Sequence, residues 1–393
     1  MSAAPVRRRH VFYLSGFDPK GASYYHALYR EQAALQGTVS GSRYEVGPRR
    51  RCGEGNSCWS VHAEANGHHT DTTFEFVRWD DIVRAQWPRR VRDVVLGSLR
   101  GYRAALASLG ALRKVWRVAP RTLVSLAYPA LFWTAALLLA LAAGWLGWQA
   151  LSASGVAGWL AGIGAAAATA ALGYGAIALE RRLNTTWLLR IYQFAGDWSL
   201  GLIPALPPRL DRLAADLERA LDDPAIDEVL LVGFSVGSLL AASAASRLHR
   251  RAEADGRSLD KLAIVTLGHC IPLLGLMAGA DAYRAELARL GSDPRIAWTD
   301  FSSLTDWGSF AGIDPLALCL GPAGPGRPHA PTMLSPRFHL MFDPPAYAQM
   351  VRNKRRMHMQ YLMAGERPVL YDYFAITAGP LALAERLARG SAP

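Results

Sequence analysis

Charged residues are scarce in this sequence, and acidic ones are the scarcer kind. Of its 393 residues 19% are charged and 51% are hydrophobic, with 43 lysines and arginines against 32 acidic residues. This composition excludes an intrinsically disordered protein, which needs low hydrophobicity and a higher charged fraction. Cysteine is also rare, at four residues. A chain of this length buries a sizeable core without disulfides, so the cysteines need not form a framework.

Several functional motifs are missing. No glycine-rich loop with a Lys-Ser/Thr ending follows a strand and no dinucleotide fingerprint occurs, so no cofactor is expected. Cys52, Cys58, His62, His68 and His69 lack the spacing of a structural zinc site, so no metal is predicted. The apolar run near the N-terminus (VFYL) is too short for a signal peptide, and no lipidation motif is present.

Charge is absent altogether from Thr122 to Leu179, a run of 58 residues. The polar stretch from Gly147 to Gly155 divides this run into two apolar segments of about 24 residues, each about 36 Å long as a helix. That length suffices for a hydrocarbon layer of ~30 Å. The sequence therefore predicts a membrane hairpin of two antiparallel helices, with a GxxxG at Gly158 and Gly162 for close packing.

Basic residues flank this predicted hairpin, and its turn has none. They are Arg113, Lys114, Arg117 and Arg121 before it and Arg181, Arg182 and Arg190 after it. The positive-inside bias predicts two spans with both termini in the cytoplasm, in a membrane such as the bacterial inner membrane. Reduced cysteines are expected there.

The net charge of +11 is concentrated in residues 82–121, where ten basic residues and one acid give +9. Apolar residues recur there at roughly helical spacing, at Val91, Val94, Val95, Leu99, Leu106, Leu109 and Leu112. This pattern predicts basic amphipathic helices on an anionic membrane surface. The basic composition therefore indicates membrane lipid as the partner, and no nucleic acid.

The remaining sequence alternates short apolar runs with helical patterns. Strands are predicted at His10 to Ser15, Glu228 to Val232, Leu262 to Leu267 and Ile296 to Phe301, and a hairpin turn at Asn66-Gly67. This order predicts an α/β fold with a mainly parallel sheet. Four regions follow: an N-terminal part of the α/β domain (1–81), juxtamembrane helices (82–121), the membrane hairpin (122–182) as an insertion, and the C-terminal part of the α/β domain (183–393).

One motif carries chemistry. Gly233, Phe234, Ser235, Val236 and Gly237 form a GxSxG directly between an apolar strand and a helix. Small residues on both sides of the serine permit a sharp strand-to-helix turn that exposes its hydroxyl above the sheet. This unit resembles the α/β-hydrolase superfamily of serine esterases and lipases, closely in the strand, turn and helix and elsewhere only by the order of elements. The resemblance implies that Ser235 is the nucleophile.

The resemblance also implies an acid and a histidine later in the chain, because a serine hydroxyl is a poor nucleophile until an oriented imidazole accepts its proton. Asp306 is the candidate acid, since it lies in a loop after a predicted strand, whereas Asp300 and Asp314 suit structural roles. His358, in a predicted helix, is the first candidate base. His339, in a predicted strand from Arg337 to Phe342, and His329 are alternatives.

An oxyanion hole of this superfamily uses the backbone N–H after the nucleophile and one from a loop after an earlier strand. The resemblance assigns these roles to Val236 and to Gly16 and Phe17. The expected function is a membrane-anchored serine hydrolase that cleaves an acyl ester, with a lipid-like substrate favoured by its location. The alternative is a catalytically inactive hydrolase-like membrane scaffold or partner-binding protein.

Overall fold

The computed structural model describes residues 5–107, 109–183, 185–321 and 331–390. In these residues nine strands form one mixed sheet with the order β2-β4-β5-β1-β6-β7-β8-β9, and β3 pairs with β4. The strands are β1 (Arg8–Leu14), β2 (Arg43–Val46), β3 (Arg50–Cys52), β4 (Asn56–Ala65), β5 (His68–Phe76), β6 (Glu228–Phe234), β7 (Leu262–Leu267), β8 (Ala297–Phe301) and β9 (Thr332–Leu334).

The α-helices surround the sheet or extend away from it. They are α1 (Ala22–Ser40), α2 (Asp80–Ala85), α3 (Val91–Leu106), α4 (Leu109–Val118), α5 (Pro120–Ala153), α6 (Gly158–Leu183), α7 (Thr185–Ser199), α8 (Leu206–Asp222), α9 (Gly237–Asp255), α10 (Ile271–Gly275), α11 (Asp281–Ser292), α12 (Pro315–Leu320), α13 (Phe338–Met341), α14 (Pro344–Arg352), α15 (Lys354–Met359), α16 (Tyr373–Ala378) and α17 (Leu383–Gly390).

The predicted α/β fold with a mainly parallel sheet is confirmed. Strands β5, β1, β6, β7, β8 and β9 are parallel, and β4 runs antiparallel to both β2 and β5. The turn between β4 and β5 is Asn66-Gly67, with φ of 52° and 74°, as the hairpin motif predicts. Because residues from before and after the apolar hairpin pair side by side as β1 and β6, the hairpin is an insertion into one sheet.

The central strands are buried on both faces, which explains their continuous apolar sequences. Leu231 of β6 and Ile264 of β7 face the core formed with α7, α8 and α9. Val232 and Val265, their neighbours along the chain, face the core formed with α1 and α16. The sheet is therefore the middle of three layers, and its carboxyl edge is where the loops that follow β1, β6, β7 and β8 meet.

Helices α5 and α6 are long and apolar enough to cross a membrane. Only 11% and 6% of their most apolar stretches are buried, so neither is the core helix of a soluble domain. The predicted turn is wrong in position: Gly147 to Ala153 continues α5, and the chain reverses at Ser154 to Ala157. Close packing also differs from the predicted GxxxG. A Cβ on Gly144 would lie 2.2 Å from Oγ1 of Thr169, whereas one on Gly158 would meet nothing.

The basic segment is helical and forms α3 and α4 together with most of α2. Helix α3 crosses α7 closely, because a Cβ on Gly101 would lie 2.3 Å from the carbonyl oxygen of Tyr192. Arg100 Nε donates to Oδ1 of Asp197 at 2.8 Å beside this crossing. Several predicted residues lie outside what the structure describes: His329 and the side chains of Val91, Leu109, Arg181 and Arg182.

Candidate active site

The GxSxG motif forms a strained turn at the carboxyl edge of the sheet. Ser235 lies between β6 and α9 with a φ of +54°, and Asn66 and Arg337 are the only other non-glycine residues with positive φ in the described chain. A bulky or branched residue is disfavoured in this conformation, which costs about 1–3 kcal/mol. The Ser235 N–H donates to the Leu267 carbonyl at 2.8 Å and fixes the turn to β7.

Both glycines of the motif are required by close backbone contacts. A Cβ on Gly233 would lie 2.8 Å from the Gly237 carbonyl oxygen and 2.8 Å from Cβ of Ala241. A Cβ on Gly237 would lie 2.2 Å from the carbonyl oxygen of Leu14, at the end of β1. The motif therefore reflects the approach of β1 and α9 to the turn.

Asp306 and His358 form a buried pair beside this turn. Asp306 lies in the loop after β8, is 3% exposed, and its Oδ2 is 2.9 Å from Nδ1 of His358 on α15. The Gly308 N–H donates to Oδ1 of Asp306 at 3.0 Å, and the Tyr361 hydroxyl donates to Oδ2 at 3.1 Å. The carboxylate thus has three hydrogen-bond partners. Because Nδ1 of the imidazole binds the carboxylate, Nε2 is the nitrogen that can exchange a proton with another group.

The pKa of Asp306 reflects opposing effects. Burial alone would raise it, but the charge of a protonated His358 and the hydrogen bonds from His358, Gly308 and Tyr361 hold the pKa below its ordinary value. Burial beside this carboxylate raises the pKa of Tyr361 well above its ordinary value, so that hydroxyl stays a donor. An ionised, buried carboxylate that binds an imidazole is the arrangement that orients a general base.

Phe234 connects the serine turn with the Asp306–His358 pair. The ring of Phe234, the residue before Ser235, lies 5.1 Å from the His358 ring. Among the described residues the Ser235 hydroxyl has one polar neighbour, Sγ of Cys270 at 3.8 Å, and no hydrogen bond to His358. Hydrogen bonds between catalytic groups are often long before substrate binds. Ser235 is also only 4% exposed, so little of its side chain is open to solvent.

The predicted oxyanion residues lie against the turn. Leu14 of β1 pairs with Gly233 of β6, so continuing this register brings Gly16 opposite Ser235. A Cβ on Gly16 would lie 3.2 Å from Cβ of Ser235. Within the described chain the backbone N–H groups of Val236 and Phe17 have no hydrogen-bond acceptor. Two free backbone donors beside a serine suit the stabilisation of an oxyanion.

His339, an alternative base, is not part of this cluster among the described residues. His339 was predicted to lie in a strand, but this prediction is wrong because Phe338–Met341 forms the short helix α13 after Arg337, whose φ is +49°. Its exposed ring adjoins Tyr347 at 6.2 Å, and no hydrogen bond joins it to Asp306 among the described residues. His329 lies outside the described residues.

Cys270 is a member of the cluster that the sequence did not reveal. It follows β7, and its thiol donates to the Gly308 carbonyl at 3.3 Å, which links the serine turn to the Asp306 loop. Burial raises the pKa of Cys270 to about 12, so the thiol stays protonated and is not a competing nucleophile. The sequence held one signal for Cys270, its position just after a strand parallel to β6. It also held one for Tyr361, which lies three residues after His358, a spacing that places two side chains on the same side of a helix.

The described residues contain no cluster of three or more histidine, cysteine, aspartate or glutamate side chains that suits a metal ion. None of the four cysteines is paired in a disulfide. Comparison with protein-family models, with curated proteins and with solved structures gave no match. The chemistry of this site is therefore argued from its own geometry.

Proposed function

We propose that this protein is a membrane-anchored serine hydrolase that cleaves an acyl ester through an acyl-enzyme on Ser235. The observation that carries the proposal is the positive φ of Ser235, at a strand-to-helix turn, next to a buried Asp306–His358 pair. A conformation that disfavours most residues persists where the surrounding structure maintains it, and such positions cluster at functional sites.

The order of elements supports an α/β-hydrolase relationship. The nucleophile, acid and histidine follow one another in the chain order Ser235, Asp306, His358, as in that superfamily. The serine follows β6 and the acid follows β8, both at the carboxyl edge of the sheet, and the histidine on α15 is hydrogen-bonded to that acid. Ligand sites of parallel sheets form at this edge.

The proposed reaction has two steps. The Ser235 hydroxyl turns from Cys270 to His358, Nε2 takes its proton, and Oγ attacks the ester carbonyl; the alcohol then leaves with that proton and the acyl group stays on Oγ. Water, deprotonated by the same Nε2, then attacks the acyl carbonyl; the bond to Oγ breaks, Nε2 returns the proton to Oγ of Ser235, and the carboxylic acid leaves. Asp306 stays ionised and stabilises the imidazolium, while the Val236 and Phe17 N–H groups bind the oxyanion.

We further propose that α5 and α6 span a membrane and that the sheet domain is cytoplasmic. Their length, apolar composition and exposure support insertion. The basic residues lie at the base of the hairpin, and the turn from Ser154 to Ala157 has none. The positive-inside bias favours a cytoplasmic base.

A second function is favoured by one observation. Ser235 is only 4% exposed, and its hydroxyl has no hydrogen bond to His358 in the described structure. This arrangement is expected of a hydrolase-like scaffold without activity. Activity-based labelling separates the two functions, because a fluorophosphonate reacts only with an activated serine.

The test is fluorophosphonate labelling of membranes that contain the full chain. The wild type, and Ser246→Ala, which removes a hydroxyl from the buried face of α9, should be labelled. Ser235→Ala should abolish labelling, and His358→Ala should reduce it by at least ~10²-fold, the usual contribution of a general base. His339→Ala should leave it unchanged. Absence of labelling on folded wild-type protein would establish the scaffold instead.

A further inference from the structure

Both ends of the hairpin contact loops of the candidate site. In the first turn of α5, Oγ1 of Thr122 donates to the Ser309 carbonyl at 2.9 Å, in the loop that carries Asp306. After α6, Nε1 of Trp187 donates to the Phe17 carbonyl at 3.1 Å, in the oxyanion loop. If the hairpin crosses the bilayer, its base lies at the membrane surface, and these two loops lie there with it.

The acid loop exposes apolar side chains at this base. Leu304 is 68% exposed and Trp307 is 36% exposed, on either side of the buried Asp306. Nη1 of Arg121, directly before the apolar run, donates to the Leu304 carbonyl at 3.4 Å. Large apolar side chains are stable in this position when they contact lipid, and tryptophan is enriched at the headgroup level.

The histidine-bearing helix adds positive charge to the same face. Nζ of Lys354, the first residue of α15, lies 4.3 Å above the Trp307 ring. Arg355 follows it and is exposed. The two segments that carry the Asp306–His358 pair therefore present apolar and basic side chains side by side, which is the composition that binds an anionic lipid surface.

We infer that this membrane-facing patch, formed by Arg121, Leu304, Trp307, Lys354 and Arg355, lies in the headgroup layer of the membrane that holds the hairpin. The substrate of Ser235 is then an acyl ester of a lipid with an anionic headgroup, taken from that leaflet. This inference rests on the proposed hydrolase function. Its chemistry is complete with water, which yields a fatty acid and the deacylated lipid.

The geometry gives a reason for this route. Ser235 is 4% exposed, so little of its side chain is open to bulk water. Ester bonds of lipids lie at the boundary between headgroups and acyl chains, which is the depth of the Leu304 and Trp307 side chains in this arrangement. Electrostatic attraction from Lys354 and Arg355 would select anionic headgroups at the entrance.

The test uses the full-length protein reconstituted into vesicles of phosphatidylcholine alone or mixed with phosphatidylglycerol. Fatty-acid release is measured beside fluorophosphonate labelling and hydrolysis of a soluble short-chain nitrophenyl ester in detergent. The wild type should release fatty acid faster from the mixed vesicles. Lys354→Glu should lower the ratio of fatty-acid release from the mixed vesicles to hydrolysis of the soluble ester by about fivefold or more. Leu304→Ser combined with Trp307→Ser should reduce release from both vesicle types.

Matched controls lie towards the amino ends of the parallel strands, away from the membrane-facing patch. Leu35→Ser removes an equally apolar residue, 50% exposed on α1, and Lys261→Glu reverses a charge just before β7. Neither should change lipid release. Fatty-acid release by the Lys354 variant and by the Leu304/Trp307 variant that equals wild-type release would overturn the membrane-facing patch. Labelling without lipid release by the wild type would overturn the lipid substrate while the hydrolase stands; loss of labelling as well would overturn both.

Discussion

At the residue scale, the GxSxG motif has a physical explanation in three backbone constraints. Ser235 adopts a φ of +54°, Gly233 contacts α9, and Gly237 contacts the end of β1. The sequence predicted the turn from the motif's place between strand and helix. It did not predict that the second glycine is needed by β1, because β1 lies more than two hundred residues earlier in the chain and reaches the turn only through sheet pairing.

Gly237→Ala is predicted to destabilise the fold and abolish labelling. Its Cβ would lie 2.2 Å from a backbone oxygen of β1, which no side-chain rearrangement relieves, and we expect a loss of about 1–3 kcal/mol in unfolding free energy. Gly173→Ala is the control, since a Cβ there meets nothing within 4 Å. Denaturant unfolding of the detergent-solubilised protein measures both. Equal stability of the two variants would contradict the constraint.

Asp306→Asn is predicted to destabilise the protein most at neutral pH. The folded-state pKa of Asp306 is lowered, so its ionisation contributes stability above the ordinary aspartate range, and that contribution is lost as pH falls through the lowered pKa. The difference in unfolding temperature between wild type and variant should therefore shrink on acidification. Thermal unfolding across a pH series checks this; a gap that widens towards acid would show that Asp306 is not held ionised.

At the element scale, the apolar hairpin was predictable and its turn was not. The residues from Gly147 to Ala153 are polar enough to suggest a loop, yet alanine, leucine and glutamine among them favour helix. The helix ends where Gly155 adopts a φ of +75°, a conformation that glycine supplies at helix ends. The strand predicted around His339 failed for a similar reason, because short apolar runs do not distinguish strand from helix.

The orientation of the hairpin gives a prediction of its own. Ser154→Cys, in the turn between α5 and α6, should react with a membrane-impermeant maleimide added to intact cells. Ser292→Cys, exposed at the end of α11, should react only after the membrane is permeabilised. The physical reason is that basic residues flank both ends of the hairpin, and such residues favour the cytoplasmic side. The reverse pattern would place the sheet domain outside.

At the scale of the whole molecule, the apolar hairpin is built into the sheet domain. The chain leaves the sheet after β5, forms the basic helices and the hairpin, and returns through α7 to β6, which pairs with β1. The fold class and the GxSxG turn were accessible from the sequence because each depends on a local pattern, and the Asp306 and His358 candidates followed from the resemblance that this turn carries. Cys270, Tyr361 and the contacts of Thr122 and Trp187 depend on distant segments, so no local pattern revealed them.

Identification of the fluorophosphonate adduct by peptide mass spectrometry tests the central claim most directly. The full-length protein in membranes is labelled, digested, and searched for the residue that bears the phosphonyl group. We predict a single adduct on the Oγ of Ser235, absent from His358→Ala. An adduct on any other residue, or none on folded protein, would contradict the assignment of Ser235 as an activated nucleophile.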